Sequence, residues 1–249
     1  KSSFNIWKLN YQVLFTQFTG QYVRGGDRLL PKKFGAFHLL TFKPNSKVDI
    51  ALFESVIFNR NDGFDFNYLN PIILYRSIEH QLGSPDNSMM GAQAKVNIDM
   101  TQLYSQLLID DLQVNEFLKS SGWWGNKYGI QLGAKFFNIA KIRDLDAQVE
   151  LNYVRPFTYS QSSTTVDTLA NFTHYNQPLA HPLGANFVEW MFKCRYSPLK
   201  KMSVELLYSF ISRGVDSGAI SYGNDIFINT KPPVISTDYG VTQLQGVLN

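Results

Sequence analysis

Three histidines, His80, His174 and His181, lie in polar stretches beside groups able to do acid–base or ligand chemistry: Arg76, Glu79, Asp86, Asp110, Asp111 and Arg155. Ser160, Asp167 and His174 share one of these stretches and have the residue types of a hydrolytic triad. No G-x-S-x-G elbow frames the serine, and a triad is defined by geometry rather than by order in the chain. Such groups also anchor loops by hydrogen bonding. The expectation is therefore a protein that is not an enzyme, with no catalytic residue. Metal chemistry fits no better. In NRNDGFD, placing Gly63 at the sixth position of a calcium loop puts Phe58 at the first, where an oxygen ligand is required. His174 and His181 are separated by no zinc-like spacing, and Pro182 follows the second. No metal and no cofactor are expected.

Aromatic rings beside amides and guanidinium suit a sugar, which offers an apolar ring face and a rim of hydroxyls. Trp123, Trp124, Tyr159, Tyr175, Asn176 and Gln177 supply that mixture. With Arg155, His174 and His181 they form a candidate set for glycan contact or for a network tying loops together. The competing use of such rings is to pack loops or to sit in a membrane-interface belt.

The elements that must position these groups alternate apolar and polar residues, the period of a strand. The clearest pair begins at Ala147, with Val149, Leu151 and Tyr153 against Gln148, Glu150 and Asn152. It returns with Val188, Trp190, Phe192, Cys194 and Tyr196 against Glu189, Lys193 and Arg195. Similar runs cover 5–17, 35–43, 48–58, 88–98, 102–110, 127–137 and 203–213, making about nine strands in all. Trp7, Leu9, Tyr11, Val13 and Phe15 are read as one face of the first. The run at 48–58 is poorly marked, because Glu54 stands in an apolar series. A short helix is expected at 71–82. Connections alternate long (59–87, 111–126, 156–185) and short (44–47, 99–101, 197–201).

Runs near ten residues, outward aromatics near strand ends and loops longer at one end are the marks of an outer-membrane barrel. The expected fold is all-β: a transmembrane antiparallel β-barrel with long extracellular loops and short periplasmic turns. Lys95, Lys135, Glu150, Glu189, Lys193, Arg195 and Glu205 share the inward parity. A cation on the lipid side would cost about 2–4 kcal/mol at the midplane, so these charges are assigned to the lumen, where pairing is favoured over conduction. Cys194, the single cysteine, has the lipid-facing parity. The loop HYNQPLAHPLGANF is expected to be ordered and folded inward over the barrel mouth, with His174 or His181 bonded to another loop.

The chain has 249 residues, 17% charged and 14% aromatic, with net charge +3. No basic cluster suited to a phosphate backbone is present, so nucleic acid is not an expected partner. No run approaches a transmembrane helix, which leaves barrels open. The chain opens KSSFNIWK and ends GVTQLQGVLN, outside a convincing strand, and nine strands is an odd number. It is read as one barrel domain over 1–249, part of a larger barrel lacking N-terminal and closing C-terminal segments.

The blocks FNYLNPIILYRSIEHQLGSPDN, LYSQLLIDDLQ, GWWGNKYGIQLGAK, DLDAQVELNYVRPFTYS and HYNQPLAHPLGANF, between Ala51 and Arg213, resemble the capsule-assembly Wzi-like family of the Bacteroidota, which includes gliding-motility proteins of the RemB type. The resemblance implies a bacterial outer-membrane barrel at the cell surface. It would act in surface polysaccharide assembly or attachment, or as a subunit of a gliding or secretion assembly. Its partners would be outer-membrane lipid, surface polysaccharide and other outer-membrane proteins. A porin-like channel is the alternative. Asp167-Thr168-Leu169 fits the short O-glycosylation pattern of that phylum, which marks Thr168 as a candidate.

Overall fold

The computed structural model describes residues 1–20, 31–59, 65–69, 86–161, 170–215 and 221–227. The helix expected at 71–82, His80 and the Thr168 motif lie outside them. Ten strands form one antiparallel sheet in chain order. They are β1 (Ser2–Ile6), β2 (Leu9–Thr19), β3 (Lys32–Asn45), β4 (Val48–Phe58), β5 (Asn87–Ile98), β6 (Thr101–Asp111), β7 (Lys127–Phe136), β8 (Leu145–Val154), β11 (Phe187–Leu199) and β12 (Met202–Arg213). Between β8 and β11 a two-residue pair, β9 (Thr173–His174) and β10 (Gln177–Pro178), makes a separate small hairpin. One helical turn, α1 (Val114–Leu118), lies between β6 and β7. Among the described residues β1 does not pair with β12, so the sheet is an open wall rather than a closed barrel.

The first strand departs from expectation. Residues 5–17 are not one run: the chain reverses at Trp7 and Lys8, and Ile6 pairs with Leu9. Trp7 takes a φ of 52°, a left-handed conformation uncommon for so bulky a residue. The other short connections follow ordinary turn chemistry. Asn45 Oδ1 accepts from the N–H groups of Lys47 (2.8 Å) and Val48 (3.0 Å), closing the turn between β3 and β4. Asn138 Oδ1 accepts from Asp144 N–H at 2.8 Å across the β7–β8 connection. All the short turns fall at one end of the sheet and the long connections at the other, as an up-and-down order requires.

Pairing in register sorts each strand into two faces. One face carries Leu9, Phe42, Ile50, Ala94, Ser105, Leu132, Leu151, Trp190 and Phe210 along a single continuous rung. It is apolar and open: Leu52, Leu132, Phe192, Leu206 and Tyr208 are all exposed. The opposite face is concave and polar. At the loop end of β2–β4 the outer face is covered. There Ala36, Val56 and Phe58 pack with Tyr68 from the short 3₁₀ turn Phe66–Leu69, and the Phe58 and Tyr68 rings lie 4.6 Å apart. Below that cluster, His38 Nδ1 lies 2.9 Å from Glu54 Oε1, and both side chains are buried. The residue that blurred the parity of this strand therefore faces outward and is paired across to β3.

Candidate functional site

The concave face is layered along the strands. Its middle rung runs Asn5, Asn10, Thr41, Ala51, Gln93, Gln106, Gln131, Asn152 and Glu189, strand by strand from β1 to β11. The rungs nearer the turns hold the charges. Lys95 Nζ is 2.6 Å from Asp49 Oδ2, Lys193 Nζ is 2.9 Å from Glu205 Oε1, and Arg195 Nη2 is 3.0 Å from Asp146 Oδ2. All seven residues assigned to a lumen lie on this face: Lys95, Lys135, Glu150, Glu189, Lys193, Arg195 and Glu205. Glu150 is the most heavily bonded. It accepts from Gln131 Nε2 (3.1 Å), Asn152 Nδ2 (2.9 Å) and the Tyr104 hydroxyl. Tyr104 reaches it across β7 because Gly133 has no side chain; a Cβ there would stand 2.1 Å from the ring.

The rungs nearer the loops are largely apolar and closed by a strap, formed by residues 155–161 and 170–186 of the connection between β8 and β11. Its core is Tyr159 and Ala185 packed with Met89, Val154, Phe187 and Ile226. The strap leaves β8, crosses the concave face to β2 and β3, and returns to β11. Its small hairpin turns at Tyr175 and Asn176, with φ of 50° and 59°, the left-handed pair that a two-residue turn requires. His174 Nδ1 accepts from Thr19 N–H at 3.1 Å, and Tyr175 N–H donates to Thr19 O at 3.3 Å. Lys33, 2% exposed, donates to Asn171 O (2.7 Å) and Thr173 Oγ1 (2.8 Å). Contacts between flanks so far apart in strand order require the sheet to curl toward itself.

His181 holds the returning limb. Its Nδ1 accepts from Leu183 N–H at 3.2 Å, which leaves the proton on Nε2, 3.1 Å from Glu189 Oε2. Burial lowers its pKa, opposed by the Glu189 and Glu150 carboxylates. A proton added at Nδ1 would face the Leu183 N–H, so the neutral ring suits this geometry. At the start of the strap, Asp110 Oδ2 accepts from Tyr159 N–H at 2.8 Å, and Arg155 Nη2 donates to Gly122 O and Trp123 O, each at 3.3 Å.

The nine loop residues singled out for sugar or network thus divide. His174, His181 and Arg155 are structural ties of the strap, bonded to a strand end, to β11 and to the α1–β7 loop. Tyr159, expected as a sugar platform, is 5% exposed and stacks on Phe172 with centroids 6.1 Å apart, which leaves no open ring face. Burial and then the Asp110 carboxylate push its hydroxyl pKa up. Trp123 and Trp124 pack together (5.8 Å), and Trp124 meets Phe157 edge-on, beside a cavity of about 240 Å³. Tyr175, Asn176 and Gln177 remain exposed at the hairpin tip. Ser160 donates to Phe157 O at 2.6 Å and has no bond to His174. The amide rung was not singled out from the sequence, although Gln93, Gln106, Gln131 and Asn152 each occupy the polar parity of a strand. Compared with protein-family models, curated proteins and solved structures, the chain matches none.

Proposed function

We propose that this chain forms part of the wall of a bacterial outer-membrane β-barrel that does no chemistry of its own. In this reading it serves surface polysaccharide assembly or attachment, or belongs to a cell-surface gliding or secretion assembly. The observation that carries it is the two-faced sheet. Apart from β1 its strands are ten or more residues long, exposed leucine and aromatic side chains cover one face, and amides and charge pairs cover the other. Water would penalise the first face and hydrocarbon the second, so a bilayer on one side and a wet lumen on the other satisfy both. Trp7, Phe42, Phe136 and Tyr196, at the turn end of the apolar face, supply an interfacial belt. The polysaccharide role draws on the family resemblance and on the amide-lined lumen.

Membrane fractionation tests the reading. The protein should stay with the outer membrane through a carbonate wash; release into the soluble fraction would overturn it. The polar lumen also favours a second reading, a solute channel. The strap argues against it, since it fills the loop end with packed side chains. Planar-bilayer recordings separate the two: a strapped lumen is silent, whereas a porin conducts.

A further inference from the structure

The amides of the concave face are of two kinds. Toward β8 and β11 they are committed: Gln131 bonds Glu150 and Asn152, and Asn152 donates to Glu189 at 3.0 Å. Toward β2–β6 an open trough of about 870 Å³ is lined by Asn10, Gln12, Gln93, Gln102, Gln106 and Gln131; Asn10 donates to Asn5, Gln12 to Asn10 and Gln102 to Asn97. Gln93 and Gln106 are directly paired across β5 and β6, and neither side chain makes a hydrogen bond among the described residues. Two adjacent uncommitted amides offer matched donors and acceptors on one wall, the pattern that vicinal hydroxyls can satisfy. The volume is that of a small-molecule site.

The charge of the trough is biased. Lys8, Lys43, Lys95 and Lys135 line it with a single carboxylate, Asp49, which Lys43 (3.9 Å) and Lys95 (2.6 Å) share. Lys135 has no carboxylate partner among the described residues; its ammonium lies over the Tyr104 ring, 5.4 Å from the centroid. Gly133 keeps that ring flat and the floor clear. A smaller cavity, of about 150 Å³, shares Gln106 and Gln131 with the trough and is roofed by Tyr159, Ala180 and His181 of the strap. Among the described residues, the strap covers the trough toward the loops.

We propose that this trough binds a carboxylate-bearing oligosaccharide that enters from the turn end. The uncommitted amides hold hydroxyls, and the lysine excess holds the carboxylates. The proposal rests on the concave face being the lumen of a surface barrel. It moves the sugar site from the exposed loops to the floor of that lumen.

Calorimetric titration of the purified, detergent-solubilised chain tests it with three probes: tetragalacturonate, maltotetraose and inorganic phosphate. Tetragalacturonate should bind, with maltotetraose about tenfold weaker and phosphate showing no measurable heat. Replacing both trough amides (Gln93→Leu with Gln106→Leu) should weaken tetragalacturonate by about tenfold. Asp49→Asn frees two lysines and should tighten it by about threefold, a gain that misfolding cannot mimic. Absence of tetragalacturonate binding, equal binding of maltotetraose or phosphate, or indifference to both variants would overturn the proposal. Carbonate extraction of the same proteins reports on the membrane reading whatever the sugars do.

Discussion

Gln131 and Leu132 are neighbours on β7, yet they face opposite sides of the sheet. Gln131 lies in a hydrogen-bonded rung with Glu150 and Asn152, whereas Leu132 is 49% exposed in a field of leucines and aromatics. The same comparison holds for Lys95 and Val96 on β5, or Lys193 and Phe192 on β11. A period of two lets one strand serve two environments, and it makes the sheet intolerant of a slip by one residue. The difference also shows what each face still needs. The concave face is bonded internally toward β8 and β11 and covered at the loop end by its own strap, while Gln93 and Gln106 stay uncommitted among the described residues. Among the described residues, the convex face is covered where the 66–69 turn packs on β2–β4.

The largest expected effect breaks this asymmetry directly. Leu132→Arg and Val96→Arg should impair assembly into outer membrane, each costing about 2–4 kcal/mol near the midplane, while Gln131→Arg and Gln93→Arg are tolerated. Quantifying folded protein in outer-membrane fractions checks it; equal tolerance on both faces would abolish the distinction. Next comes the strap. Lys33→Met leaves Asn171 O and Thr173 Oγ1 without their buried donor, about 1–3 kcal/mol of anchoring. Proteolysis within the strap should then accelerate without loss of the sheet. Of similar or smaller size is the concave floor. Gly133→Val should displace Tyr104 and cost about 1–3 kcal/mol, measured by denaturant unfolding in detergent. Gly129→Ala, whose new Cβ would meet nothing nearer than 3.4 Å, should be neutral or mildly stabilising.

The smallest effect is on pH. His181 has a lowered pKa in the folded state, so the stability of its neutral ring is fully present above the ordinary value of about 6.5 and is lost as pH falls through the folded value. The protection factor of the amides around Leu183, exchange relative to the intrinsic rate at each pH, should fall between pH 7 and pH 5. His181→Gln should flatten that dependence; an unchanged profile would remove His181 from the latch.

The faces were legible in the sequence because alternation survives in nearly every strand, and the charges of the concave face all kept its parity. The hairpin at Trp7 was not, because tryptophan is no turn residue and the only trace is a single break at Ile6-Trp7, where the apolar positions pass from even to odd. Glu54 looked like noise in an apolar run. Its partner, His38, is one strand away, and cross-strand pairing cannot be read from spacing. The strap was legible as an inward-folded loop from its prolines, histidines and amides. Its landing place was not: His174 meets the end of β2 rather than another loop, through a contact between residues 155 apart in the chain. The burial of Tyr159 was hidden for the same reason, since its exposure depends on that closure.

The central claim is that the convex face meets lipid and the concave face meets water. Nitroxides placed singly along β7, from Gly129 to Lys135, in a Cys194→Ala background reconstituted into bilayers, test it most directly. Collision with oxygen should peak at positions 130, 132 and 134, and collision with a water-soluble nickel chelate at 131 and 135. A reversed pattern, or nickel access that is equal at every position, would contradict the account.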